Sequence, residues 1–191
     1  MNQNVMIVGV GGQGSLLASK MLGHVVMQAG YDVKVSEVHG MSQRGGSVVT
    51  YVRYSDETVW SPVINEGEAD IIISFELLEA ARWVGFLKKG GTLVVNDQKI
   101  APMPVIMGNA QYPEDIAEKL RELGVNLKIF DALHLAEEAG SAKAANVVLM
   151  GAVANAMDFP EEMWQKALEE CVPPKFLVLN RKAFALGRAQ K

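Results

Sequence analysis

The residues best equipped for chemistry lie in two short stretches near the amino end. Gly9-Val10-Gly11-Gly12-Gln13-Gly14 has the spacing G-x-G-x-x-G. Between a strand and a helix, such a turn lets a phosphate approach the helix's first amides. A dinucleotide site also wants an acidic residue about 20 positions on, to hold a ribose hydroxyl, and Glu37 is placed for that role. Two readings stay open: an anion-accepting turn, or glycines that only make a tight turn with close packing. The second stretch, residues 36–46, gathers Glu37, His39, Ser42, Gln43 and Arg44 among glycines. His39 can transfer a proton near neutral pH, and Arg44 can grip a carboxylate or phosphate with two parallel bonds. The plainer reading of Ser42 and Gln43 is that they satisfy the loop's own backbone.

Other reactive side chains are dispersed. His24 sits among apolar residues of a helical stretch, and His134 has neither a cysteine nor a second histidine nearby. No metal site is expected from them. Cys171 is the single cysteine, so the chain can form no internal disulfide and cannot ligate an iron–sulfur cluster by itself.

These residues need a frame. Residues 5–10 read as a short apolar strand, 15–29 as a helix and 32–35 as a second strand, a βαβ opening expected to form a parallel sheet. Residues 36–46 read as loop, and 47–54 as a strand with which 57–61 is expected to pair as a hairpin. Strands are then expected at 69–75, 92–96 and 126–130, with helices at 76–87, 114–123 and 132–139. Residues 100–113 carry three prolines and no charge, and read as an extended connector. From 142 the pattern is helical: 142–157, 160–170 and from about 175 onward. A doubly wound, mostly parallel α/β sheet with a helical carboxyl-terminal part follows, as a single domain over 1–191. The uncharged run 144–157 suits either a core helix or one lying under a partner. The tail carries Lys175, Arg181, Lys182, Arg188 and Lys191 without an acidic residue after position 171, which reads as a solvated helix face.

Composition narrows the classes. With 191 residues, 49% hydrophobic and 21% charged, the chain suits one globular core. Such a core buries about 70% of the unfolded chain's surface, so it needs no staples. A formal charge of −4 argues against a nucleic-acid binder. The uncharged opening is broken by glycines and lacks a basic lead, unlike a signal peptide. No membrane span is expected, and one cysteine fits a reducing cytoplasm.

Four segments together resemble a known family: GVGGQG at 9–14, SEVHGMSQRGG at 36–46, LLEAARWVGFLKKGGTLVVN at 77–96, and NVVLMGAVANAM at 146–157 followed by VPPKFLVLNRKAFALG at 172–187. They are similar to the small subunits, or gamma domains, of 2-oxoacid:ferredoxin oxidoreductases, and most similar to those of the indolepyruvate type. The resemblance implies a Rossmann-like fold and a small accessory subunit of a hetero-oligomer. It implies that a large catalytic subunit carries thiamine diphosphate, magnesium and 4Fe-4S clusters, and that coenzyme A is a co-substrate. Ferredoxin would then be met only indirectly. The candidates at a shared active site are Glu37, His39, Ser42, Gln43 and Arg44, with Gly9, Gly11, Gly12, Gln13 and Gly14 as the anion-accepting turn. This chain has no GDG-type segment for thiamine diphosphate and one cysteine, so a partner would hold that machinery. The rival reading is a free-standing NAD(P)- or FAD-binding oxidoreductase or regulatory module.

Overall fold

A computed structural model describes residues 2–40 and 45–190. The elements alternate through most of the chain: β1 (Asn2–Val10), α1 (Ser15–Gln28), β2 (Asp32–His39), β3 (Ser47–Ser55), β4 (Ala69–Ser74), α2 (Leu77–Trp83), β5 (Leu87–Asn96), α3 (Met103–Ile106), α4 (Ile116–Glu122) and β6 (Asn126–Phe130). Four helices close it: α5 (Ala132–Ala139), α6 (Ala145–Val153), α7 (Glu161–Cys171) and α8 (Leu177–Arg188). The strands form one six-stranded sheet in the order β2-β3-β1-β4-β5-β6. Pairs β1–β4, β4–β5 and β5–β6 are parallel, while β3 runs antiparallel to both β1 and β2.

Side-chain alternation builds two cores. Val5 and Ile7 of β1, Ile71 and Ile73 of β4 and Val94 of β5 face α1 and the carboxyl-terminal helices. Met6, Val8, Ile72, Leu93 and Val95 face Leu77 and Ala80 of α2 and Ile116 and Leu120 of α4. The period of two thus sends neighbours in one strand to opposite cores, and the sheet is doubly wound as expected.

Several sequence expectations are corrected. The opening is not a simple parallel βαβ unit. β1 and β2 run in the same direction, but β3 lies between them and pairs with β2 from Asp32↔Ser55 to His39↔Val48. That pairing draws residues 36–39 out of the expected loop and into β2. The expected hairpin of 57–61 with the 47–54 strand does not form, because both edges of β3 are already taken. The segment is held instead by the Val59 amide, which donates to Asp32 Oδ2 at 2.8 Å. α2 ends at Trp83 in a 3₁₀ turn over Val84–Phe86, and the 100–113 connector contains the one-turn α3.

The apolar 144–157 run is core of this chain and does not await a partner. Every residue of α6 from Asn146 to Val153 is buried. Gly151 and Gly187 let α6 and α8 cross with their backbones in contact, since a Cβ on Gly151 would strike Phe184 O and one on Gly187 would strike Val148 O. The basic tail is tied down by its own chain: Arg188 meets Glu161 at 3.3 Å, and Arg181 meets Glu169. Lys191 lies outside the described residues. Among the described residues no helix is long and apolar enough to cross a membrane.

Candidate functional site

The glycine turn stands where β1 ends and α1 begins, at the sheet edge formed by the carboxyl ends of the parallel strands. Its members have different jobs. Gly9 packs flat, because a Cβ there would come within 2.8 Å of Gln13 Oε1 and 3.0 Å of Phe75 Cβ. Gly14 has φ of 88° and would drive a Cβ into the Asn146 carboxamide. Gly12, at φ 100°, faces open space, so its need for glycine is conformational only. Gly11 donates its N–H to Gly46 O at 2.9 Å, which joins the turn to the start of β3.

Gln13 ties the turn to its neighbours: its Oε1 accepts from Val10 N at 2.7 Å, and its Nε2 donates to Phe75 O at 3.0 Å and Gln98 Oε1 at 3.3 Å. Asn96 mirrors it from the end of β5. Its Oδ1 accepts from Ala132 N at 2.9 Å, and its Nδ2 donates to Phe75 O at 3.2 Å and Gln98 Oε1 at 3.1 Å. Asn146 Nδ2 donates to Gly14 O at 3.3 Å. These amides join the ends of β1, β4 and β5 to the starts of α1, α5 and α6.

Glu37 stands on β2 opposite Thr50. Its Oε2 accepts from Ser15 Oγ and Thr50 Oγ1, both at 3.1 Å. The acidic residue of the fingerprint is therefore engaged by the chain's own hydroxyls. His39, at the exposed end of β2, has Nδ1 3.1 Å from Gly40 O. Ser42, Gln43 and Arg44 lie outside the described residues. Of the sequence-derived candidates the fold brings together Gly11, Gly12, Gly14, Glu37 and His39, which with Ser15, Leu16 and Val48 line a cleft of about 420 Å³. A second cleft of about 430 Å³ opens on the turn's other side, between Gln13, Gln98, Lys143 and Asn146.

Sequence reasoning passed over Asn96, Gln98, Lys143 and Asn146. A signal existed for one of them: an amide inside the apolar 144–157 run has to find a partner when buried. At the N-cap of α2, Glu76 is 1% exposed and accepts from Ile100 N at 3.1 Å, Glu79 N at 2.9 Å and the Tyr112 hydroxyl. Burial and that carboxylate push the Tyr112 phenol up, so it stays a neutral donor. His24 pairs with Glu170 at 2.6 Å on the helical face, remote from the turn. Burial, then Glu170, pushes the Cys171 thiol up, so it is a poor nucleophile. Among the described residues no group of three or more acidic, histidine or cysteine side chains could hold a metal ion.

Comparison with known proteins decides the family. The model of the pyruvate ferredoxin/flavodoxin oxidoreductase family matches residues 4–190. The chain belongs to this family. The indolepyruvate oxidoreductase subunit IorB of Thermococcus kodakarensis is 47% identical over 96% of this chain and 93% of its own length. The same-named subunit of Archaeoglobus fulgidus is 41% identical over 100% of this chain and 96% of its own. The gamma subunit of a keto/oxoacid ferredoxin oxidoreductase from Geobacter sulfurreducens superposes with a TM-score of 0.73 at 24% identity, covering 98% of this chain and 97% of that one. That likeness shows that the family's fold is kept across the whole chain.

Proposed function

We propose that this chain is the small subunit of an indolepyruvate, or related aryl 2-oxoacid, ferredoxin oxidoreductase. The observation that carries the reading is the 47% identity to an indolepyruvate oxidoreductase subunit over 96% of the chain. The complex would decarboxylate the oxoacid oxidatively, pass electrons to ferredoxin and form an acyl-coenzyme A. The donor set in this chain does not fit the cofactors such chemistry needs: a single half-buried cysteine cannot ligate a 4Fe-4S cluster. Thiamine diphosphate, magnesium and the clusters then belong to a large partner subunit in the cytoplasm.

Within that assembly the chain supplies a rigid wall at its strand ends. The turn at Gly9, Gly11, Gly12, Gln13 and Gly14 is braced by the amides of Gln13, Asn96 and Asn146, and the edge strand that carries Glu37 and His39 would face substrate, coenzyme A or the partner. His39 would position or transfer a proton, and Arg44 would hold an anionic group.

Reconstitution tests the reading. Neither this chain nor the large subunit alone should reduce a one-electron acceptor with an aryl pyruvate and coenzyme A, whereas the mixture should. Full turnover by the large subunit alone would overturn it. The rival, a free-standing dinucleotide module, would have to hold its ribose on Glu37 Oε1, since Ser15 and Thr50 both bond Oε2. Titration calorimetry of the isolated chain with NAD, NADP and FAD should give no micromolar binding.

A further inference from the structure

We infer that the cleft between the glycine turn and the start of α6 binds a small organic monocarboxylate with an apolar body, and that the Gln98 amide is its fixed hydrogen-bond donor. This goes beyond the subunit reading, because every group involved belongs to this chain.

The argument starts from the orientation of three amides. Val10 N–H fixes the oxygen of Gln13, and Ala132 N–H fixes the oxygen of Asn96. Each amide must therefore turn its NH₂ the other way, and both donate to Phe75 O and to Gln98 Oε1. With its oxygen held as the acceptor of two bonds, Gln98 has no freedom to flip. Its backbone is pinned as well, since Gln98 O accepts from Leu77 N at 3.0 Å and Gln98 N donates to Asn96 O at 2.8 Å. Among the described residues the Nε2 of Gln98 meets no acceptor, and Gln98 lines the 430 Å³ cleft.

The rest of the lining selects the ligand. Lys143, in the short turn before α6, lines the cleft as its one basic residue, and the Asn146 amide is partly engaged, its Oδ1 accepting from Val147 N and its Nδ2 donating to Gly14 O. Phe75, Ile100, Leu133 and Leu149 supply apolar walls. A fixed donor pair and one ammonium beside hydrocarbon suit a single negative charge with acceptor oxygens and an apolar body. A phosphate dianion would find one cation and a largely apolar surround. Because the donor is held in place before binding, little ordering cost falls on the complex.

Phenylacetate is a suitable probe, titrated into the full-length chain labelled with ¹⁵N while the side-chain NH₂ signals are followed. The Gln98 pair should shift saturably. In Gln98→Glu a carboxylate can still accept from Gln13 and Asn96, so the fold survives while the donor becomes a repelling acceptor, and affinity should fall about tenfold or more. Lys143→Glu, on the exposed wall and outside the amide cluster, should weaken binding about threefold or more. No saturable shift in the native chain, or undiminished binding by a folded Gln98→Glu variant, overturns the inference. Inorganic phosphate that displaces the probe at equal or lower concentration overturns the ligand class. The chain is titrated alone, so failure here leaves the subunit reading standing, and failure of reconstitution leaves this one standing.

Discussion

The glycine turn is flanked by two unlike regions. On the β4–β5 side its neighbours are amides that bond backbone atoms across three strand ends, and Asn96 and Asn146 are buried. On the β2 side Glu37 and His39 sit on an exposed edge strand. The first region is locked from within, the second is open to whatever approaches the edge. A residue type that looks functional in a sequence can thus be a brace on one side of a turn and a contact on the other. The difference should appear as a division of labour: substitutions on the braced side cost stability, and substitutions on the open side cost function.

The sharpest way to break that comparison is Gly14→Ala. A left-handed φ and the Asn146 amide both oppose a methyl group, so unfolding should become easier by about 2–3 kcal/mol, read as a lowered urea midpoint. An unchanged midpoint would mean that the turn is not braced. Asn96→Ala strips partners from Ala132 N and Gln98 Oε1 and one of the donors from Phe75 O. It should cost about 1–3 kcal/mol by the same measurement.

The charged candidates that the sequence offers between residues 37 and 46 should behave otherwise. Arg44→Ala should leave the urea midpoint of the isolated chain within about 0.5 kcal/mol of native. In the assembled complex it should raise the KM for the oxoacid or coenzyme A, or lower turnover, by about tenfold. Weakened subunit association with native kinetics would place Arg44 at the interface instead. His39→Ala should have a smaller effect, and a changed pH profile of turnover would mark proton transfer by the imidazole. The smallest effect concerns Asp32 at the start of β2. The Val59 amide, then Lys34, holds its carboxyl below the usual value of 3.8. A depressed carboxyl contributes stability above its unfolded pKa and loses it as pH falls through the folded one. Exchange protection of the Val59 amide should therefore persist through pH 3.8 and fade only at more acid pH. Loss already above pH 3.8 would contradict the bond.

Much of this frame was legible in the residues. The strands expected at 69–75 and 126–130 and the helix expected at 132–139 form as Ala69–Ser74, Asn126–Phe130 and Ala132–Ala139, the first because its apolar run is buried and the last because its spacing is amphipathic. The position of β3 was not legible. Its Val-Val-Thr-Tyr-Val pattern announces a strand, but local sequence does not say that β3 slips between β1 and β2, and that choice turns 36–39 from loop into edge strand. For the site, the glycine spacing and Glu37 were readable while their meaning was not: only tertiary contact reveals that Ser15 and Thr50 both bond Glu37 Oε2. The amide cluster escaped notice for the same reason, since Gln13, Asn96 and Gln98 meet only when three strand ends align.

The most direct test of the central claim is to purify the chain under native conditions from its own cells and determine what accompanies it. The account predicts a stable complex in fixed ratio with a large cysteine-rich protein that contains thiamine diphosphate, and oxoacid-dependent electron transfer that travels with that complex. A chain that runs alone, with the oxoacid activity eluting elsewhere, would contradict it.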